Sequence, residues 1–302
     1  MLKHWEHTEY VSDTEMLTFK NNNSVISPKI SIPANTAVYV AGPDGKRLEG
    51  IYDASLKGIR PLKDKSSSNR DLRLYKDAIM NQRITIIAVN GLMGTGKTST
   101  VVEDLVNQHL SDVKISRHTG QLEEPNRGHH KIMIAKPHVG AGGRTEEIGH
   151  LPGDIDAKMS PTLKNFVQYF DRFHQAGFEA LRNAGFIEIL PLAYIRGLDA
   201  ADMTIVVDEC QNTTELITAV TRKASNSRIF LLGDTSPFQI DLAGNTPKEN
   251  GLTDVIDLLR GAPYFQYIEM RSLEHIVRGE EVRDIVRRLF KKYGQDPHEW
   301  TL

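Results

Sequence analysis

Eight residues restrict this chain more than any other stretch. Gly91, Leu92, Met93, Gly94, Thr95, Gly96, Lys97 and Thr98 satisfy the spacing G-x-x-x-x-G-K-[ST]. They follow the apolar run Ile84 to Val89 and precede a helical pattern beginning near Thr98. That strand–loop–helix setting separates a phosphate-cradling loop from a chance glycine-rich turn. Glycines let the backbone curl until several N–H groups converge on phosphate oxygens, and the following helix N-terminus adds its partial positive charge. The pattern predicts a nucleoside-triphosphate site contacted by Gly91 to Thr98 and the adjoining Ser99. In such a site Lys97 reaches the β- and γ-phosphates and the Thr98 hydroxyl ligates Mg²⁺.

The surrounding pattern alternates. Lys131 to Ala135, Phe186 to Leu190, Met203 to Val207, Arg228 to Leu232 and Phe265 to Glu269 read as strands. Helical spacing marks Leu72 to Met80, about 98 to 110, Leu163 to Gln175, and the amphipathic stretch Val282 to Tyr293. Near-continuous apolar strands alternating with helices predict an α/β fold with a mostly parallel sheet between helices. Residues 1 to 65 differ. Ala37 to Ala41, the turn Gly42-Pro43-Asp44-Gly45, and Lys46 to Tyr52 read as a β-hairpin. The polar junction Lys63 to Asn69 predicts a boundary, with a β-rich extension over 1–65 and the main domain over 66–302.

Composition bounds the setting. The formal net charge of −2 and pI near 6.6 give no global basic bias, although a local basic groove remains compatible with them. The single cysteine, Cys210, excludes an intrachain disulfide and fits a reducing compartment. No apolar run approaches the ~18 residues of a membrane span, and the N-terminus lacks a secretory apolar core. A cytoplasmic protein without a membrane partner is the expectation.

Thr204 to Val207 runs into Asp208-Glu209, which places two carboxylates at the carboxyl edge of the sheet beside the phosphate loop. Asp208 is expected to hold Mg²⁺ and Glu209 to orient and deprotonate the attacking water. An acid pair of this kind points to hydrolysis rather than to small-molecule phosphoryl transfer. Leu231-Leu232-Gly233-Asp234, followed by Gln239-Ile240-Asp241, is a third strand-to-acid element. Asp234 joins the nucleotide contacts in this reading, and Gln239 orients the lytic water or senses the γ-phosphate.

With these elements in place the chain resembles the PhoH-like ATPases, P-loop enzymes related to superfamily 1 helicases. The resemblance rests on Gly58-Ile59-Arg60-Pro61, the phosphate loop, Lys136-Pro137, Ile148 to Asp154, Lys158 to Pro161, Leu190 to Gly197, Val207 to Asn212, Thr221-Arg222, and the Gly-Asp…Gln-Ile-Asp element. It implies a RecA-like core, ATP and Mg²⁺ as cofactors, a homo-oligomeric ring of six, and a connection to RNA. Gln211 and Asn212 would couple the acid pair to nucleic acid. Arg278 would act as a finger on a neighbour's γ-phosphate, with Arg271 and Arg222 weaker candidates. Leu72 stands near the position where the family usually has an adenine-reading Gln, and Thr235 to Phe238 are extra residues in the third element.

Two functions from different classes follow. One is an ATPase, a possible helicase, that couples hydrolysis to single-stranded nucleic acid, RNA before DNA. The other is a nucleotide-controlled oligomeric RNA-binding module with slow, incidental turnover. A small-molecule kinase is disfavoured, since no arginine-rich lid is recognisable. Tyr39 and Tyr52 on the hairpin are candidates for base stacking. Arg287-Arg288 and Lys291-Lys292 form a basic helix face, His118, His129, His130 and His138 show no zinc-ligand spacing, and Gly140 to Arg144 reads as a loop.

Overall fold

The residues ahead of the phosphate loop build more than a hairpin. In the computed structural model, which describes residues 3–21, 24–64, 66–114, 116, 118–119, 130–137, 163–197 and 200–295, β1 (Thr8–Tyr10) is followed by α1 (Asp13–Lys20), β2 (Ala37–Ala41), β3 (Arg47–Asp53), β4 (Gly58–Pro61) and α2 (Arg70–Met80). The expected hairpin is β2–β3, antiparallel with Tyr39 opposite Glu49. β1 adds in parallel to β2 and β4 in antiparallel to β3, so the expected hairpin extension is in fact a four-stranded sheet, β1-β2-β3-β4. Alternation along β2 sends Val38 and Val40 into a cluster with Phe19, Ile26, Ile32 and Ile59. Ser12 and Glu15 cap the start of α1 reciprocally, and the Asn69 side chain accepts the Asp71 and Leu72 N–H groups at the start of α2. Arg60 on β4 donates to both Asp77 carboxylate oxygens on α2, at 2.9 and 2.7 Å, and to Asp53 at 3.2 Å.

The second sheet has six parallel strands: β5 (Ile86–Gly91), β6 (Lys131–Lys136), β7 (Ile187–Pro191), β8 (Met203–Val207), β9 (Arg228–Gly233) and β10 (Phe265–Met270). Their order is β10-β5-β9-β8-β6-β7. Five of the six are buried along nearly their whole length, as the apolar runs require of strands covered on both faces. The connecting helices are α3 (Lys97–Leu105), extended by a π-helical turn at Val106–Leu110, then α4 (Lys164–Phe173), α5 (Gly177–Asn183), α6 (Leu216–Val220), α7 (Gly251–Leu259) and α8 (Glu280–Lys292). This is the RecA-like α/β arrangement. Ordering places β9 between the phosphate-loop strand β5 and the acid-bearing strand β8, so three strand ends open toward one edge.

Met1–Ile87 with Ile256–Ile268 form one compact unit, and Ala88–Val255 with Glu269–Leu302 form the other. The motif segments 148–154 and 158–161, the loop 140–144, His129, His138 and most of 116–130 lie outside the described residues.

Candidate nucleotide site

Gly94 and Gly96 adopt φ of +77° and +92°, left-handed values that a side chain would strain, and this is how the loop turns its amides inward. Gly96 is also the cap residue of α3. The Thr95 hydroxyl donates to the Leu92 carbonyl at 2.8 Å, and the Lys97 ammonium donates to the Gly91 and Leu92 carbonyls at 2.5 and 3.1 Å. Two further backbone bonds tie the loop down: Leu92 N–H to Met270 O, and Val277 N–H to Gly94 O, each 3.0 Å. A Cβ on Gly91 would stand 2.8 Å from Met270 Cβ, so the loop's first position has no room for one.

A cavity of about 260 Å³ opens over this loop, lined by Gly94, Gly96, Lys97, Thr98, Asp208, Glu209, Asp234, Gln239 and Arg278, together with Asn165 and Tyr169 of α4. Sequence reasoning had drawn most of these from four separate segments, and they meet here. Arg278, which the resemblance assigns to a neighbour's γ-phosphate, lines this chain's own cavity, its side chain beside Gly94. Leu92 and Thr95 are buried beneath the loop, and Ser99 turns its hydroxyl back to the Gly96 carbonyl at 3.1 Å. Arg271 is buried against Thr235 and Glu269. Arg222 is exposed on the turn after α6.

The acids are held distinctively. Glu209 has φ +58°, a strained value for a non-glycine residue, and such outliers concentrate where function over-determines the backbone. Burial, and then the neighbouring Asp208 charge, push its carboxyl above the usual value, while the Gln211 amide at 2.8 Å, Lys136 and Lys97 pull the other way. Asp208 is ion-paired at 3.0 Å with Lys136, which ends β6, and both side chains are only 8% exposed. Lys136 also lies 5.9 Å over the Phe166 ring of α4. No role had been assigned to Lys136 from sequence beyond its place in the Lys-Pro pair. Its signal is a lysine at the carboxyl end of a strand whose four middle residues, Ile132 to Ala135, are apolar.

A polar network joins the acid pair to the third element. Gln211, fully buried, accepts the Asp234 N–H at 3.0 Å and donates to the Gln239 carbonyl at 2.9 Å. Asn212 accepts the Asp241 N–H at 2.7 Å and donates to its carboxylate at 3.2 Å. The extra residues of this element are used: Thr235 bonds Asn90 of β5, and Phe238 meets Phe290 of α8 edge-on at 5.1 Å.

A nucleotide with Mg²⁺ fits this donor set. The hydroxyl of Thr98 and the carboxylates of Asp208 and Asp234 are hard oxygen donors of the type Mg²⁺ takes. Asp234 Oδ2 is buried in the cavity wall and has no hydrogen-bond partner among the described residues, so it stands ready to accept from a bound group. His130, by contrast, stacks on His109 at 4.1 Å and contacts the Thr204 hydroxyl.

A phosphate loop on one strand, an Asp-Glu pair two strands away and a RecA-like sheet beneath them define a P-loop NTPase-type protein. A family model for PhoH-like proteins matches residues 66–290, and the chain belongs to that family. It is 25% identical over 272 residues to a protein named PhoH2 from Thermobispora bispora, covering 87% of this chain and 58% of that one. A PhoH2 protein of Bacillus subtilis is 29% identical over 263 residues, covering 84% of this chain and 54% of its own length. A PhoH-like protein of the same bacterium is 32% identical over 251 residues, at 81% and 70% coverage. The chain therefore spans little more than half the length of the two PhoH2 relatives. No helix among the described residues is long and apolar enough to cross a membrane.

Proposed function

We propose that this chain is a Mg²⁺-dependent ATPase that couples hydrolysis of ATP to ADP and phosphate to the binding and remodelling of single-stranded nucleic acid, RNA before DNA. The observation that carries the reading is the convergence of Lys97, Thr98, Asp208, Glu209 and Gln239 on one cavity. Lys97 leaves the Gly91 and Leu92 carbonyls to meet the β- and γ-phosphates, and Arg278, beside Gly94, reaches the same phosphates. Thr98 and Asp208 would hold Mg²⁺, and Asp234 Oδ2 would accept a hydrogen bond from a group bound in the cavity. When bound, the metal neutralises phosphate charge and fixes the γ-phosphoryl group for in-line attack. Glu209 takes the proton of the attacking water, and the Gln239 side chain reports the state of the γ-phosphate.

The Gln211–Asn212 network gives that report a route, since it bonds the acid pair to the loop carrying Gln239 and Asp241. A single RecA-like core cannot step between two cores, so unwinding calls for assembly into a homo-oligomeric ring. The test is steady-state ATP hydrolysis with Mg²⁺, alone and with single-stranded RNA, single-stranded DNA or duplex, using Glu209→Gln as the blank. Stimulation by single strands that disappears in the blank is the expected result. Turnover indifferent to every nucleic acid would overturn the coupling and leave a nucleotide-controlled assembly module.

A further inference from the structure

The N-terminal sheet carries a row of planar side chains that the nucleotide site does not use. The Trp5 and Tyr39 rings lie 5.3 Å apart with planes inclined by 38°. Arg70 sits 5.4 Å from the Trp5 ring centre and Arg47 sits 5.7 Å from that of Tyr39. The row therefore runs guanidinium, indole, phenol, guanidinium. Its members are fixed in place. The indole N–H donates to Asp71 at 2.7 Å, and Arg70 also bonds the Tyr39 hydroxyl. Trp5 holds φ +64°, a backbone conformation that persists only where its surroundings over-determine it. Both arginines are exposed and both rings half-buried, so the row reaches solvent at each end.

A cavity of about 380 Å³ adjoins the row and shares Arg47 with it. Its wall includes Lys20, Glu49, Asp64 and Arg73. Arg73 grips Glu49 through two bonds, at 2.5 and 2.8 Å, and so neutralises the nearer acid. Asp64 Oδ2 is buried and has no hydrogen-bond partner among the described residues. A buried acceptor in that state is costly, and a donor brought by a ligand would satisfy it. The unit that carries row and cavity holds fourteen Lys and Arg against eleven Asp and Glu, a basic surplus within a chain of net charge −2.

These features call for three things in one ligand: flat π-faces, negative charge beside them, and N–H donors at their edges. An acidic peptide supplies the charge and leaves the row unused. A duplex supplies charge and hides its base faces in the stack. Packing within the protein accounts for the burial of the rings, yet not for an arginine exposed at each end or for the unmet acceptor. Exposed bases on a phosphate backbone supply all three, through stacking on aromatic and guanidinium planes and hydrogen bonding at base edges.

We infer that the Arg47–Tyr39–Trp5–Arg70 row and its adjoining cavity bind single-stranded nucleic acid, with bases extending the stack from the exposed guanidinium planes at its two ends and one base edge donating to Asp64. The inference rests on the nucleic-acid coupling proposed above and names a surface for it. The test uses the full chain carrying Trp300→Phe, which leaves Trp5 as the sole tryptophan. A 12-nucleotide single-stranded RNA, titrated in, quenches the Trp5 emission as a base stacks beside it. Arg47→Ala, an exposed site whose loss leaves the fold intact, raises the Kd about tenfold or more. Followed instead by the anisotropy of a fluorescein-labelled copy of the RNA, Trp5→Phe, which keeps a ring, raises the Kd less than Trp5→Ala, and ATP turnover without RNA stays at the parent level in Arg47→Ala. If the RNA binds but Trp5 emission is unmoved and Arg47→Ala binds as tightly as the parent, this surface is wrong while the coupled ATPase stands. If the parent binds no single strand at all, both readings fail.

Discussion

At the scale of single residues, two side chains at the ends of neighbouring strands carry opposite liabilities. Glu209 sits at φ +58° with its carboxyl raised by burial and by Asp208, an arrangement that favours proton acceptance over fold stability. Replacing it with Gln keeps the shape and the bond to Gln211 while removing the base. Turnover in Glu209→Gln is expected to fall by about 10² or more with nucleotide affinity retained. Initial rates and a nucleotide titration check this together, and a variant that still hydrolyses at half the parent rate removes Glu209 from the role of base. Lys136 is the complementary case. Its buried ammonium satisfies Asp208 at 3.0 Å, and removing one partner of such a pair leaves an uncompensated charge. Lys136→Met is expected to cost about 3–5 kcal/mol in urea unfolding, and Lys136→Met combined with Asp208→Asn to recover much of that loss. Strictly additive losses would show that the two groups do not depend on each other. The pair was invisible in sequence because its members lie 72 positions apart on different strands, and nothing in spacing announces that two strand ends will be neighbours.

At the scale of elements, α8 anchors the phosphate loop from beneath. Val286 and Phe290 pack with Leu92, Leu273 and Ile276, and Met93 and Phe238 close over the cluster. Phe290 is 1% exposed. Truncating it to Ala is expected to cost about 3–5 kcal/mol and to weaken nucleotide binding, because Leu92 and Met93 lose the surface that holds the loop in its turn. Calorimetric titration with a nucleotide analogue against the unfolding curve separates the two effects; unchanged affinity in a destabilised variant would make α8 a passive brace. The amphipathic spacing of α8 was readable in sequence, and so were all six central strands, because burial on both faces leaves long apolar runs that survive any uncertainty at their ends. The partner of α8 was not readable. A helical stripe states that a face is buried and says nothing of what covers it. α1 shows a different limit: Ser12-x-x-Glu15 is a capping box in plain view, but the helix behind it has only one fully buried residue, Phe19, and hence no strong period to notice. The lone hairpin widened to four strands for a related reason, since β1 has three residues and β4 has four, too few for alternation to register.

At the scale of the whole molecule, acid stability reports groups of opposite sign in the two units. In the first, His4 is wedged between two backbone groups: the Ala37 N–H donates to Nδ1 at 2.9 Å, and Nε2 donates to the Tyr267 carbonyl at 2.6 Å. Burial lowers its pKa to about 4 against the bond to Tyr267, and Arg260 lowers it further. Between about 4 and 6.5 the unfolded chain binds a proton here that the folded chain refuses, so stability is complete above 6.5 and is lost as the pH falls. In the second unit, burial raises Asp104 to about 6 against the pull of Gln108 and Arg228. Here the folded chain holds the extra proton, so stability is gained as the pH falls through 6 toward 4. The two contributions oppose each other, and His109, also lowered to about 4 chiefly by burial, adds to the acid loss on the side of His4. His4→Gln separates them. From pH 7 to pH 5 the stability advantage of the parent over His4→Gln is expected to shrink by up to about 2 kcal/mol, less where the half-buried ring keeps contact with water. Asp104→Asn is expected to act in reverse, steepening the acid loss that the parent conceals. Urea unfolding at both pH values, followed through Trp5 emission in the Trp300→Phe background, reads the unit that contains His4. An advantage that stays constant across this range would mean that His4 accepts its proton in the folded state, and that Ala37 gives up its bond to Nδ1 without consequence for the sheet.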